Sequence, residues 1–80
     1  MTINTIKTCV TKNGVEFKGV ECSDIKVALE RAANIGGEVI KLERKIFVVN
    51  AEEADMLTEL GVSFAYICIV DGRPTTIPVN

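Results

Sequence analysis

The sequence predicts one α+β domain, in which a mostly antiparallel sheet built from three hairpins carries two helices on one face. Two observations indicate this two-layer sandwich. Short β-rich runs flank Asn-Gly and Asp-Gly pairs, which are typical of tight hairpin turns. Two other segments repeat apolar residues at helical spacing and end at glycine. The expected order of elements is ββαββαββ, and a chain of 80 residues predicts a single domain over residues 1–80.

The first hairpin is predicted around Asn13-Gly14, because both central positions of a type I′ turn need positive φ. A two-residue turn at this place would set Val10 opposite Phe17. These two side chains would then share the apolar face of the hairpin, while Thr11 would lie on its polar face.

The first helix is predicted to follow Ser23, a favourable N-cap residue, and to end at Gly36-Gly37. Its buried stripe is expected at Ile25, Ala28, Leu29, Ala32 and Ile35. Cys22 precedes this helix, where the helix dipole could lower the pKa of the thiol and favour a reactive thiolate. The alternative is a packed, unreactive Cys22 at the helix start, which is the more frequent behaviour of free cysteines.

A second strand pair is predicted over residues 38–43 and 46–49, with Arg44-Lys45 near the turn. Favourable turn residues are missing at this position, so the sequence leaves the type of turn open.

The second helix is predicted to begin at Asn50, because Glu53 three residues later completes a capping-box pattern. Gly61 is expected to end it. The buried stripe is predicted at Ala54, Leu57 and Leu60.

The third hairpin is predicted over residues 64–79, with Asp71-Gly72 as a type I′ turn. Both faces of strand 64–70 are apolar, and a strand of this kind is normally covered on both sides. Pro74 and Pro78 have no N–H to donate to a ladder, so the last strand is expected to lie at an edge of the sheet or to be irregular.

The apolar excess of this third hairpin predicts an interaction surface. If both helices lie on one face of the sheet, the other face of strand 64–70 needs a cover. Self-association is the simplest cover, because identical patches can be self-complementary about a two-fold axis. The alternative is that the termini or the first hairpin fold over that face. The candidate interface residues are Phe64, Tyr66, Ile67, Ile69 and Ile77.

A basic cluster at the second hairpin offers a different function. Lys41, Arg44 and Lys45 could contact phosphates, and Phe47 could stack on a base. The net charge of −2 argues against general nucleic-acid binding. The charge is also uneven, because Arg73 is the only cation among residues 50–80.

The residue types that most catalytic and metal sites need are missing. The absence of histidine excludes His-dependent triads and histidine general bases. Three widely spaced cysteines, Cys9, Cys22 and Cys68, cannot supply a four-thiolate zinc site. No glycine-rich phosphate-binding pattern is present either. We therefore expect no catalytic residue, no cofactor and no metal.

The sequence thus favours a non-catalytic protein-binding or regulatory module that is homodimeric or binds another protein. Its small size fits an accessory or inhibitory protein of the kind that phages and mobile elements encode. Nucleic-acid binding through the basic cluster, and a thiol-dependent redox or enzymatic role at Cys22, are the alternatives. An odd cysteine count, no signal-peptide pattern and no membrane-spanning apolar run predict a cytoplasmic location without membrane contact.

Overall fold

The structure, a computed structural model, describes residues 6–79. Within them, six strands and two helices follow one another in the predicted order. They are β1 (Lys7–Val10), β2 (Glu16–Cys22), α1 (Ile25–Ile35), β3 (Glu38–Leu42), β4 (Lys45–Val49), α2 (Ala51–Glu59), β5 (Phe64–Val70) and β6 (Arg73–Val79). All strand pairs are antiparallel, and the sheet order is β1-β2-β4-β3-β5-β6. The α+β class and the order ββαββαββ are confirmed.

The two helices pack on opposite faces of the sheet, which corrects the expectation that both share one face. The buried cluster that holds Ala28 and Ala32 of α1 includes Val39. The cluster that holds Leu57 of α2 includes Ile40 instead. Successive side chains of a strand point to opposite faces, so the two helices define an α1 face and an α2 face. The physical reason is that the central strands are apolar on both faces, and each face needs a cover.

The strand β2 bends and carries the first hairpin over the α2 face. Its residues 16–19 pair with β1, whereas residues 20–22 pair with β4. With a straight β2, Lys12 and Glu43 would lie about 30 Å apart at the usual rise per residue. Instead, the backbone N–H of Lys12 donates to the Glu43 carboxylate at 2.7 Å. The hairpin is therefore folded back onto the sheet.

Gly19 stands at the bend of β2. A Cβ at this residue would lie 2.8 Å from Cγ1 of Val49 and 3.1 Å from the carbonyl oxygen of Val48. Only a residue without a side chain permits so close an approach of the backbone. Beside the bend, the N–H of Lys18 donates to the Glu53 carboxylate at 2.7 Å, which joins the hairpin to α2.

The register of the first hairpin differs from the prediction by one residue. The loop has three residues, 12–14, and its glycine has φ +87°. Cys9 consequently pairs with Phe17. A shift of one residue exchanges the two faces of a strand, so Thr11 is buried and Val10 is exposed, the reverse of the expectation.

The other two hairpins have two-residue turns with positive φ at both central positions. Asp71-Gly72 forms this turn with φ values of 51° and 77°, as predicted. The turn of the second hairpin lies at Glu43 and Arg44, one residue earlier than expected, with φ values of 52° and 69°. Neither residue favours this conformation, and the contact between the Glu43 carboxylate and Lys12 helps to hold it.

The helix ends agree with the prediction except in detail. Asp24, not Ser23, caps α1, and Asn50 caps α2 as predicted. Ile35 and Leu60, expected in the buried stripes, are exposed at the C-terminal ends of their helices.

Candidate interaction surface

The chain itself covers β5 over its first half only. Phe64 is buried beneath α2, and Ile67 is buried beneath α1. Ile69 and Val70, further along the same strand, are exposed. The prediction that Phe64 and Ile67 form an interface is therefore wrong, because both side chains belong to the core of the chain.

The remaining predicted interface residues lie on the β5–β6 hairpin (residues 64–79). Its outer strand is the edge of the sheet, and none of the β6 residues is buried. Ile77 pairs with Tyr66 on the α2 face and keeps 48% of its surface exposed. Ile69 lies on the α1 face, with 53% exposed. The structure thus places these three residues on one hairpin but on two faces of it.

The α2 face of the β5–β6 hairpin combines apolar side chains with one cation, Arg73. Its side chains follow from the cross-strand pairs. They are Tyr66, Cys68, Val70, Arg73, Thr75, Ile77 and Val79. The α1 face carries Ile69 together with Pro74, Thr76 and Pro78 beyond the buried Ile67.

Charged groups of both signs border the α2 face of the hairpin. Burial raises the pKa of Tyr66, and the carboxylates of Glu38 and Asp55 raise it further. Arg73 pairs with Val70 at the tip of the hairpin and is exposed. The surface is therefore acidic beside α2 and basic at the tip.

The outer edge of β6 has almost no free hydrogen-bond donor. In a hairpin with a two-residue turn, the two residues that flank the turn form two backbone hydrogen bonds with each other. In this hairpin the flanking residues are Val70 and Arg73. The backbone groups of successive residues in a strand point alternately to its two sides. Those of Pro74, Thr76 and Pro78 therefore point away from β5. The two prolines have no N–H, so Thr76 supplies the only outward donor of this strand.

The edge position of β6 was predicted from its prolines, but the loss of outward donors that follows from their spacing was not. The spacing of four residues between Pro74 and Pro78, counted from the Asp71-Gly72 turn, was enough to show it. Glu38 and Asp55 were not predicted as part of the surface, because their nearness to Tyr66 depends on strand and helix placement.

The basic cluster of the second hairpin does not form one surface. Lys45 pairs with Leu42 and shares its α2 face, while Lys41, next to Leu42, faces the α1 side. Arg44 lies in the turn between them. Phe47 is buried against Phe17, with ring centroids 5.1 Å apart, so it cannot stack on a base.

The surroundings of Cys22 do not favour the thiolate form. Burial raises its pKa; the Arg31 guanidinium offsets part of this increase, and the Glu21 carboxylate adds to it. The net direction is opposite to the predicted effect of the helix dipole. The three cysteines are free, and no group of side chains within residues 6–79 has the composition and closeness to hold a metal ion.

Comparison of the chain with protein-family models, with curated proteins and with solved structures gave no match. Neither of the two helices within residues 6–79 has the length and apolar character that crossing a membrane requires. The functional interpretation therefore rests on the surface described above.

Proposed function

We propose that the chain is a non-catalytic protein-binding module that forms a homodimer through the β5–β6 hairpin. The observation that carries the proposal is the group of half-exposed apolar side chains on the parts of the hairpin that neither helix buries. Exposed apolar side chains concentrated on one element tend to mark an interaction site. Tyr66 and Ile77, which share the α2 face, keep their proposed role in the interface, whereas Ile69 points to the α1 face of the same hairpin.

The other exposed apolar side chains do not form a comparable patch. They are Ile6, Val10, Val27, Ile35 and Leu60. Val27 and Ile35 lie on α1, Ile35 also lines a small cavity together with Ile6, and Val10 and Leu60 stand apart on other parts of the chain. In contrast, Ile69, Val70 and Ile77 share one hairpin. This concentration distinguishes the hairpin from the rest of the described surface.

The size of the hairpin face sets the expected strength of association. Two strands of seven residues, at a rise of about 3.4 Å per residue and a spacing of about 4.8 Å, offer roughly 230 Å² of flat area. Stable interfaces usually bury about 800 Å² on each partner. The hairpin face alone supports a weak dimer whose population depends on concentration.

The proposal is tested by comparing Ile77→Lys with Ile35→Lys. Both residues are exposed isoleucines, at 48% and 61% exposure, but only Ile77 lies on the hairpin. We expect Ile77→Lys to reduce the dimerisation constant by about tenfold or more, because it places a charge in an apolar contact. Ile35→Lys should leave the constant unchanged. Sedimentation velocity over a concentration series measures both.

Equal effects of the two substitutions would contradict an interface at the hairpin. A wild-type chain that stays monomeric at about 1 mM, a concentration at which even millimolar dissociation constants populate a dimer, would overturn the proposed function.

Three further expectations rest on the sequence alone and stay predictions. The absence of catalysis follows from the missing histidine and from the lack of any catalytic motif. The cytoplasmic location follows from the cysteine count and the composition, and the origin in a phage or mobile element follows from the small size.

A further inference from the structure

We infer, building on the proposed function, that a second copy of the chain docks on the α2 face of the β5–β6 hairpin beside α2, with Arg73 of each copy against Glu38 and Asp55 of the other, and does not extend the sheet at the β6 edge.

The backbone of β6 argues against extension of the sheet. Two β6 strands related by a two-fold axis at Thr76 would align three outward-facing residues of each copy, which offers up to six hydrogen bonds. Pro74 and Pro78 remove two donors from each copy, so only two of these six bonds can form. Prolines at an edge strand are a known protection against this kind of pairing. A second copy therefore gains little from the edge.

The shape of the α2 face favours stacking of the two hairpins. α2 rises above the sheet next to β3 and β5, and the bare hairpin forms a lower step beside it. Packed sheets lie about 10 Å apart, a distance similar to the diameter of a helix, so the hairpin of a second copy fits on this step.

The orientation of the two copies follows from α2. With a two-fold axis parallel to the strands, β6 of one copy lies over β5 of the other. In this arrangement the α2 helix of each copy lies beside the partner's hairpin and not against it. An axis perpendicular to the strands within the plane of the sheet would bring the two α2 helices together. The two-fold axis parallel to the strands is therefore assigned, because it keeps the two α2 helices apart.

Charge complementarity supports the same arrangement. Arg73 lies on the α2 face at the tip of the hairpin and is the only cation among residues 50–80. Ile40 pairs with Tyr66, and Glu38 lies two residues before Ile40. Glu38 therefore lies near the end of the sheet at which Arg73 also lies. The parallel axis moves Arg73 across towards this carboxylate and Asp55. Opposite charges on one self-complementary surface specify orientation.

Charge exchange tests the inference. Arg73→Glu and Glu38→Arg are each expected to weaken dimerisation by about tenfold or more, because each sets like charges against one another. The double variant, and an equimolar mixture of the two single variants, should recover the wild-type constant to within about threefold. Arg44→Glu makes the same change of charge at the tip of the second hairpin and should have no effect. Sedimentation equilibrium measures all five samples.

The outcomes separate this inference from the proposed function. If Ile77→Lys weakens the dimer but charge exchange neither weakens nor rescues it, the docking geometry is wrong and the hairpin interface stands. If the wild-type chain does not dimerise, the proposed function fails and the inference fails with it. Should Glu38→Arg not fold by circular dichroism, Asp55→Arg takes its place, since Asp55 lies on the exposed side of α2.

Discussion

Replacing Ile67 with alanine is expected to destabilise the domain by about 2–5 kcal/mol, whereas Ile69→Ala should cost no more than about 1 kcal/mol. Both isoleucines lie on β5 and point to the α1 face, two residues apart. Ile67 is 5% exposed and packs in the α1 cluster, so its loss leaves a cavity. Ile69 is half exposed and leaves none.

Chemical denaturation of the two variants and the wild-type chain measures this difference. If the two variants lost equal amounts of free energy of unfolding, Ile67 and Ile69 would be equally buried. That result would contradict the description of β5 as covered over its first half only. The stronger substitution Ile67→Lys should unfold the chain outright and not merely dissociate it, because a buried unpaired charge costs a large part of the roughly 4–12 kcal/mol that stabilises a domain of this length.

Gly19→Ala should be the second most damaging small change. The added methyl group would stand 2.8 Å from Cγ1 of Val49 and 3.1 Å from a backbone oxygen, so β2 must shift at its bend. Overpacking of this kind costs about 1–3 kcal/mol. The shift should also separate the first hairpin from the sheet and weaken the contact between the rings of Phe17 and Phe47.

Lys18→Ala is the matched control, because this neighbouring residue is exposed and its contact with Glu53 uses only the backbone N–H. We expect a change within about 0.5 kcal/mol. Denaturation midpoints and nuclear Overhauser contacts between the two aromatic rings measure both variants. A fully stable Gly19→Ala variant that retains the ring contact would show that the backbone does not approach as closely as described.

Local signals in the sequence were sufficient for most of the elements. The Asn50 cap and the turn at Asp71-Gly72 depend on residues a few positions apart, and both are confirmed. The first hairpin failed at the same local level. Asn13-Gly14 suits a two-residue turn, but the loop has three residues, and the resulting shift exchanged the faces of Thr11 and Val10.

The layer arrangement could not be predicted because it depends on distant contacts. The apolar pairs Val39-Ile40 and Phe47-Val48 show that the central strands have two apolar faces, but they do not say which helix covers which face. The fold-back of the first hairpin depends on the contact between Lys12 and Glu43, which are 31 residues apart in the chain. No local pattern encodes it.

Only part of the candidate surface could be predicted, because the rest also depends on contacts between distant residues. The apolar excess of strand 64–70 was visible in the sequence, and it led to Tyr66, Ile69 and Ile77, which are partly or largely exposed. It also led to Phe64 and Ile67, because a sequence shows that a strand is apolar on both faces without showing how far its own helices reach along it.

A dilution series followed by amide nuclear magnetic resonance tests self-association through the β5–β6 hairpin most directly. Between about 1 mM and about 10 µM, we expect concentration-dependent shifts at residues 64–79 and on the adjoining side of α2, and constant shifts throughout α1. This pattern reports both the association and its place on the molecule. Spectra that do not change with concentration, or changes centred on α1, would contradict the account.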